Sequence, residues 1–417
     1  MKATAALLLA SAFLVQEGKP DEKKPPGPLR AIAGGWVLPV SGPPIHRGVV
    51  LFRDGKIVDV GPELAIPPGA EVHRADGKYV CPGFVAVEAS RVGHSGAPGR
   101  IADGLDPYQR DLRIALASGI TTAHVVESGF GGFFGGDSPV PFSTATAVIK
   151  CAAGDLDSML LREPAANYFS FRRGPLDTFQ LRDRFRRASE HIRSVSEAER
   201  SKQKPPSMPA DLERYVRILK NETPTIVVAD SVEEVRTILA IRREHPFDLV
   251  FSGADGGWRI AREISAAFVP VLTKVRGRDM NFDFTSPAVP EDGVIPIRRA
   301  AAFAQAGIPV AILPHRRSVS LDGLAGRDLT ALALDAAFAV RGGLDEATAL
   351  GAITLEPARI LRIDGRVGSL DRGKDADILI LSRHPLDYRS GVETVFINGK
   401  IYYERAKSPL FREIPLR

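Results

Sequence analysis

The sequence predicts an α/β protein in which a body of alternating helices and strands is flanked at both ends by β segments. Between residues 103 and 358, helical patterns precede strand-like runs, as in VEEVRTILAIRREHP followed by FDLVFSG. Repeated units of this kind favour a parallel sheet that is closed or wound by crossovers. Short β patterns fill residues 29–80 and return after Leu361. We therefore expect the two ends to fold together as one small β-sandwich beside the body.

Length and composition indicate an ordinary globular protein. The chain has 417 residues, enough for one barrel of about 250 residues and a smaller domain. Apolar residues make up 44% and charged residues 25% of the chain, so a large core can form. The net charge of +5 arises from 55 basic and 50 acidic residues spread along the sequence. This dilute charge predicts that no nucleic acid is a partner.

The first residues have the pattern of a secretory signal peptide. A lysine precedes the apolar run of MKATAALLLASAFLV, which contains the small triplet Ala10-Ser11-Ala12. We predict a signal peptide over residues 1–18 and an exported protein, periplasmic or extracellular; a frayed apolar terminus is the alternative. No other run approaches the roughly 20 apolar residues of a membrane span, so no membrane association is expected after cleavage.

Two dipeptides predict tight β-hairpins. Asp54-Gly55 joins two alternating runs in GVVLFRDGKIVDVG, and Asn398-Gly399 joins VETVFI to KIYYE. Both dipeptides favour the two-residue turn whose twist matches that of paired strands. Each β segment is therefore expected to contain at least one hairpin.

Residues 79–90, YVCPGFVAVEAS, predict a buried strand that ends in polar side chains. In a parallel α/β protein, the carboxyl ends of the strands are where chemistry normally takes place. Further polar residues stand at or near the ends of other predicted strands. The predicted group at this mouth is Glu88, Ser90, His124, Asp230, Ser252 and His315.

Three stretches together resemble the amidohydrolase superfamily, and most closely its imidazolonepropionase-like branch. They are IVDVGPELAIPPGAEVHRADGKYVCPGF, DGLDPYQRDLRIALASGITTAHVV and LGAITLEPARILRIDGRVGSLDRGKDADILILSRHPLDYRSGVETVFINGKIYYE. The resemblance covers nearly all of residues 29–405. It implies a (β/α)8 TIM barrel over residues 81–362 and a composite β-sandwich from residues 29–80 and 363–417. It also implies metal-dependent hydrolysis of carbon-nitrogen bonds, often in cyclic amides.

The family's metal ligands do not match this chain. One or two divalent ions at the barrel mouth would be held by imidazoles and carboxylates, beginning with Asp-x-His-x-His after the Pro-Gly step. None of the eight histidines forms a His-x-His pair, so we predict no metal and no other cofactor. The aligned residues are Ala86, Glu88 and Ser90 on the first strand, Val228 and Asp230 on the fifth, Ser252 on the sixth, and Pro314 and His315 after the eighth.

Other candidate residues fit structural roles. Some relatives carry a carboxylated lysine, but without imidazoles beside it Lys150 is expected to pair with an acid. Cys81 and Cys151 are expected to be buried thiols, although an oxidising compartment would allow them to pair.

Two segments resemble binding motifs only superficially. The glycine-rich residues 129–137 lack the spacing of a phosphate-binding loop. Their position in the family leaves open whether Phe130, Phe133 and Phe134 line a pocket, are exposed on a loop or pack against the sandwich. The basic residues 171–209 also contain many acids, which predicts a helix pair with an exposed loop and not a binding arm.

These observations lead to one main hypothesis and two alternatives. The main hypothesis is a catalytically inactive amidohydrolase-fold protein that acts as a binding or interaction module, with a small-molecule ligand at the barrel mouth. The first alternative is a hydrolase of a cyclic amide or other carbon-nitrogen bond that uses Glu88, Asp230 and His315 without metal. The second is a structural subunit of an active paralogue, and a homo-oligomer also stays open.

Overall fold

The computed structural model of the chain describes residues 26–94, 99–126, 146–171, 175–276, 296–319 and 329–409. The predicted signal peptide and the glycine-rich segment with its three phenylalanines lie outside these residues, so those predictions stay predictions. Across the described ranges, no helix has both the length and the apolar character that a membrane span requires.

Strands dominate the two ends of the chain and alternate with helices between them. The N-terminal strands are β1 (Arg30–Ala33), β2 (Trp36–Val37), β3 (Gly48–Arg53), β4 (Lys56–Pro62), β5 (Glu71–Arg74) and β6 (Tyr79–Pro82). The body strands are β7 (Phe84–Ala89), β8 (Ile120–Val126), β9 (Thr146–Lys150), β10 (Leu160–Arg162), β11 (Asn167–Ser170), β12 (Thr225–Ala229), β13 (Leu249–Gly253), β14 (Val271–Thr273) and β15 (Val310–Ile312). The C-terminal strands are β16 (Ile378–Leu381), β17 (Val392–Ile397) and β18 (Lys400–Glu404). The helices are α1 (Arg110–Ala117), α2 (Pro175–Arg200), α3 (Glu213–Leu219), α4 (Val232–Glu244), α5 (Ala261–Ala266), α6 (Arg299–Gln305), α7 (Leu332–Arg341), α8 (Glu346–Gly351) and α9 (Leu355–Ile360).

The two ends of the chain share a sheet, as the sequence predicted. One sheet has the order β4-β3-β1-β5 and a second has the order β18-β17-β16-β6-β2. In the second sheet, β6 from the N-terminal part pairs antiparallel with β16, and Cys81 lies opposite Leu379. The composite origin of this β unit is therefore confirmed by strand pairing.

Apolar side chains from both of these sheets form one buried cluster. Ile32 and Phe52 come from the first sheet, and Val80, Ile378 and Phe396 come from the second. The rings of Phe52 and Phe396 lie edge to face, with their centroids 5.5 Å apart. Burial of alternating residues from two facing sheets is what stabilises a sandwich.

Both predicted hairpins are present, and their turns meet. Asp54 and Gly55 have φ of 51° and 78°, and Asn398 and Gly399 have φ of 48° and 70°. Two successive positive φ values characterise the type I′ turn that Asp-Gly and Asn-Gly favour. The Ala376 N–H donates to the Gly55 carbonyl at 2.8 Å, and the Gly399 N–H donates to the Ala376 carbonyl at 2.9 Å. The C-terminal segment thus ties the two turns together.

Most body strands run parallel, as predicted. The sheet β11-β12-β13-β14-β15 is parallel in chain order, and β7 is parallel to β8. The Pro-Gly step before β7 permits close approach to β8, since a Cβ on Gly83 would lie 1.9 Å from Thr121 Oγ1. A larger residue at this step would separate the first two body strands.

One body strand runs in the opposite direction, so the predicted fully parallel sheet is wrong at β9. This strand is antiparallel to both β8 and β10. The link from β9 to β10 contains a single short turn at Leu156–Ser158, and a parallel crossover needs a dozen or more residues. Since β10 is antiparallel to β9, it has the same direction as β7 and β8. The strand β9 is therefore the reversed strand of this sheet.

The body strands contribute to a shared interior cluster. At alternate positions along each strand, the side chains point to the opposite face and pack against the helices. The interior set consists of Val85, Val87, Val126, Val148, Tyr168, Ile226, Val250, Leu272 and Ala311. The two faces of the body strands are therefore both covered, as expected for parallel sheets in α/β proteins.

The basic segment forms one long helix and an exposed loop, so the helix pair predicted for residues 171–209 is wrong, because the second helix, α3, begins only at Glu213. Helix α2 has 26 residues, and α3 packs against it through the rings of Phe185 and Tyr215, whose centroids are 5.3 Å apart. Residues 201–208 between the helices are exposed. Several of the arginines pair with acids, among them Arg187 with Asp211 at 2.9 Å.

The two cysteines are buried free thiols, as predicted. Burial raises the pKa of Cys81, and burial together with the charge of Asp377 raises the pKa of Cys151. Both thiols are therefore protonated at neutral pH, which makes them poor nucleophiles.

A buried network of charges joins the body to the composite β unit. Lys150, at the end of β9, lies 2.6 Å from Asp375 and 3.0 Å from Asp377 and donates to Asn398 Oδ1 at 2.5 Å. The prediction that Lys150 pairs with an acid is thus confirmed. Burial raises the pKa of Asp377 despite the nearby lysine charge, whereas the lysine charge and hydrogen bonds outweigh burial and lower the pKa of Asp375.

Removing the central lysine should be far more damaging than removing a peripheral one. We expect Lys150→Met to lower the free energy of unfolding by about 3–5 kcal/mol, because two buried carboxylates lose their shared cation. The matched control is Lys56→Met, since half-exposed Lys56 also contacts Asp375 and exposed pairs contribute about 0–1 kcal/mol. Urea unfolding of both variants measures the difference, and equal losses would contradict the assignment.

Candidate functional site

Glu88 lies near the end of β7 on a backbone that turns its side chain out of the regular strand pattern. Its φ is 59°, a left-handed conformation that is uncommon for residues other than glycine. The pairing of β7 with β8 shifts register between Ala86 and Ala89. An irregularity of this kind redirects a side chain next to a site, and Glu88 is 1% exposed.

Glu88, Tyr168 and Arg317 form one hydrogen-bonded group, which we name the Glu88 cluster. Arg317 Nη2 donates to Glu88 Oε2 at 2.5 Å and to Tyr168 Oη at 2.6 Å. The Tyr168 hydroxyl donates to Glu88 Oε2 at 3.2 Å. The guanidinium carbon is also 5.6 Å from the Tyr168 ring centroid, within range of a cation-π interaction.

The protonation states in the Glu88 cluster follow from burial and charge. Burial, followed by the charge of Glu88, raises the pKa of Tyr168, so its hydroxyl keeps its proton. The charge of Glu88 raises the pKa of Arg317 above its usual value. At neutral pH the cluster therefore combines a phenol with a guanidinium that faces a carboxylate.

Buried polar atoms beside this cluster have no partner. His124 lies on the interior face of β8 with both ring nitrogens unpaired, and Glu88 Oε1 is unpaired as well, among the described residues. Burial, with a smaller contribution from the charge of Arg317, lowers the pKa of His124 to about 3. The imidazole is therefore neutral and offers one donor and one acceptor to the interior.

Ser90 and Ser252 reach this end of the strands without joining the Glu88 cluster. The Ser90 N–H donates to the Arg317 carbonyl at 2.8 Å, so its backbone positions the loop that carries the arginine. Ser252, which is on β13, lies opposite Val228 of β12 and is 2% exposed. Among the described residues, neither serine has a side-chain contact with the Glu88 cluster.

Asp230 also lies apart from Glu88 and belongs to the start of a helix. Its N–H donates to Glu234 Oε2 at 2.9 Å, within the capping box that Ser231 and Glu234 form at α4. A Cβ on Gly253 would lie 2.3 Å from Asp230 Oδ1, so the neighbouring strand requires glycine there. The local sequence explains this arrangement through helix capping.

His315 belongs to a second group, centred on Asp335, which we name the Asp335 cluster. The His315 N–H donates to Asp335 Oδ2 at 3.1 Å, and Arg276 Nε donates to Asp335 Oδ1 at 2.5 Å. Burial raises the pKa of Asp335, although the hydrogen bond and charge of Arg276 oppose this shift. The loop of residues 314–318 thus connects the Asp335 cluster, through His315, to the Glu88 cluster, through Arg317.

The structure brings together only part of the predicted group. Within the described residues, the polar contacts of Glu88 are with Tyr168 and Arg317 and not with Asp230 or His315. Sequence reasoning missed the partners that complete the two clusters. One detectable signal was Asp335, since it lies on the buried stripe of α7 with Leu332, Ala336 and Ala339, where an acid requires a partner.

The described donors do not fit the divalent ion that the fold family implies. No group of three or more histidine, cysteine, aspartate or glutamate side chains within the described ranges could hold a metal. The carboxylate of Glu88 already pairs with the Arg317 guanidinium at 2.5 Å. A second cation beside that guanidinium would experience direct repulsion.

The comparisons with known proteins agree with this architecture. Residues 308–402 match the model of the amidohydrolase family. No curated protein matches the chain.

Solved structures align with most of the chain. An amidohydrolase from Thermotoga maritima has a TM-score of 0.72 at 23% identity, covering 90% of this chain and 99% of that one. A prolidase in complex with N-methylphosphonate-L-proline has a TM-score of 0.53 at 16% identity, covering 90% and 100%. An adenosine deaminase from Xanthomonas campestris with bound zinc has a TM-score of 0.52 at 19% identity, covering 90% and 93%.

The fold is a mixed α/β fold with a body and an attached β unit, and it is similar to that of the amidohydrolase from Thermotoga maritima. The matched C-terminal segment and the structural neighbours confirm the resemblance to the amidohydrolase superfamily.

The neutral, buried His124 should make stability depend on pH. Unfolding restores a pKa near 6.5, so the unfolded chain binds a proton that the folded chain excludes until about pH 3. The contribution is constant above pH 6.5, and stability falls by about 1.4 kcal/mol per pH unit below it.

Urea unfolding between pH 7 and pH 4 measures this slope. His124→Gln should reduce the slope relative to wild type, whereas the exposed His46→Gln should keep it. A His124→Gln slope equal to that of wild type would show that His124 is not the group responsible.

A double-mutant cycle should reveal the coupling within the Glu88 cluster. We expect Arg317→Met to cost about 2–3 kcal/mol, because it leaves a buried carboxylate unpaired. Adding Glu88→Gln should recover most of that loss, since a neutral amide no longer needs the cation. Thermal and urea unfolding of the single and double variants test this, and strictly additive losses would argue against the pairing.

Proposed function

We propose that the protein is an exported, amidohydrolase-fold binding protein that holds a small molecule at the mouth of a (β/α)8-type barrel without metal-dependent hydrolysis. The observation that carries this proposal is the Arg317–Glu88 pair. It occupies the strand end where the resemblance places the first imidazole ligand. A permanent guanidinium charge at that position replaces the need for a bound cation.

Closure of the body into a barrel is supported by the shared interior cluster. Within the described chain, side chains from eight strands meet there, namely β7, β8, β9 and β11 to β15. In an open sheet, the first and last strands would not share one apolar interior. An eight-stranded barrel has an interior just wide enough for such side chains to fill it.

Ligand binding is supported by the unpaired polar atoms beside the Glu88 cluster. Glu88 Oε1 and both nitrogens of His124 are buried without partners among the described residues. Buried polar atoms normally have hydrogen-bond partners, so this interior has capacity for a polar molecule. The Arg317 side chain is 37% exposed and marks the side that opens to solvent.

The metal content of the purified mature chain tests the proposal. We expect substoichiometric zinc, iron and manganese, and no change in the unfolding midpoint when these ions are added. The described residues offer these ions no site in the folded chain. Added ions should therefore not stabilise the folded chain relative to the unfolded chain. Stoichiometric metal together with chelator-sensitive hydrolysis would overturn the proposal.

A metal-independent hydrolase is the second candidate, favoured by the unpaired Glu88 Oε1 and by the neutral, buried imidazole of His124. A carboxylate and an imidazole can divide general acid-base roles when both reach the substrate. A screen of cyclic amides and dipeptides, with Glu88→Gln, Asp230→Asn and His315→Gln as variants, separates the two functions. Turnover lost only in Glu88→Gln favours a metal-free hydrolase centred on Glu88, and turnover unaffected by all three rejects the candidate.

A supporting subunit of an active paralogue remains a further proposal. Purification of the tagged mature chain from its native host distinguishes it, because such a subunit should copurify with the paralogue in a fixed ratio. Recovery of the chain alone would favour the binding protein.

A further inference from the structure

A groove of about 590 Å³ lies between α1 and β18, on the composite β unit and away from the Glu88 cluster. Tyr108, Arg110 and Arg113 line one side, and Ile401 and Tyr403 line the other. Tyr108 is 69% exposed and Ile401 is 37% exposed. The groove therefore combines apolar surface with two cationic side chains.

One wall of the groove is the free edge of a sheet. Within the described residues, β18 pairs with β17 and with no strand on its other side. An edge of this kind presents unpaired backbone N–H and C=O groups that another chain can pair with. The Tyr402 hydroxyl donates to Asp155 Oδ2 at 2.7 Å, so the strand is anchored to the loop that contains Gly154 at the rim.

The charges around the groove leave an excess of positive charge. Lys400 lies 3.6 Å from Asp155, and Lys407 pairs with Glu404. Arg110 and Arg113 are exposed, and among the described residues the charge interaction found for Arg110 is with the adjacent Asp111. A partner with carboxylates would complement these guanidiniums, whereas a second copy would bring like charges together.

We infer that this groove binds an acidic segment of a partner protein in extended conformation. The segment adds a strand to the edge of β18, and its alternate side chains place carboxylates against Arg110 and Arg113. The pairing of β18 with β17 is irregular between Val395 and Phe396. Such an irregularity discourages long flat pairing, so the segment that fits is short.

A synthetic peptide of alternating valine and glutamate, labelled with a fluorophore, tests the inference with the full mature chain. Fluorescence anisotropy should show saturable binding at low salt. A peptide of alternating valine and lysine should bind at least about tenfold more weakly. The same acidic peptide with alternate backbone nitrogens methylated should also bind at least about tenfold more weakly, because it cannot pair with the strand edge.

Variants of the protein locate the site. Arg110→Glu with Arg113→Glu should weaken binding of the acidic peptide at least about tenfold. The matched control is Arg193→Glu with Lys204→Glu, which makes the same charge change at exposed positions on α2 and the loop after it. Unchanged urea midpoints in both double variants would show that folding is intact, and the control should bind as wild type does.

Several outcomes would overturn the inference. They are no saturable binding, equal binding of acidic and basic peptides, insensitivity to backbone methylation, and equal effects of the two double variants. A chain ending after Pro409 that binds the peptide more tightly would instead identify residues 410–417 as the natural occupant. Self-association that Arg110→Glu with Arg113→Glu abolishes, measured by sedimentation velocity, would identify a second copy.

Discussion

The structure depends on the neutralisation of two aspartates that are buried where the body meets the composite β unit. Lys150 contacts Asp375 and Asp377 at one point, and all three side chains are nearly inaccessible to solvent. A buried charge without a partner is strongly destabilising, so these segments have to meet in one arrangement. Asn398 joins the same group through Lys150 and through its own N–H, which donates to Asp377 Oδ1 at 2.8 Å. The two hairpin turns and the end of β9 are thereby held together.

The same physics operates at the carboxyl ends of the body strands, with different partners. There Arg317 neutralises Glu88, and Tyr168 completes the hydrogen bonding. The barrel-like body thus carries a fixed cation at each end, one lysine and one arginine. An ion at a strand end normally organises carboxylates in metal-dependent hydrolases. In this chain the described cation beside Glu88 is a guanidinium, and a guanidinium cannot bind and activate a water molecule as a metal ion does.

The fold and the site therefore carry different information. The structural neighbours share the overall fold at low identity, and function belongs to the site and not to the fold. The interior cluster of apolar side chains can pack in the same way whichever groups stand at the strand ends. Substitution of ligands at those ends can leave folding intact while the chemistry changes. The polar atoms left unpaired around His124 show that this end of the body was not simply filled with apolar residues.

Local chemistry allowed the sequence to determine much of the framework. Asp54-Gly55 and Asn398-Gly399 specify their turns because only neighbouring residues set their dihedral angles, and the alternation of helix and strand patterns identifies the body. The reversal of β9 and the pairing of Glu88 with Arg317 were decided by tertiary structure. Glu88 and Arg317 are 229 positions apart, and no local pattern indicates which cation will meet a carboxylate at that distance. Only packing of the whole body brings the loop of residues 314–318 over β7, and burial then makes that ion pair obligatory.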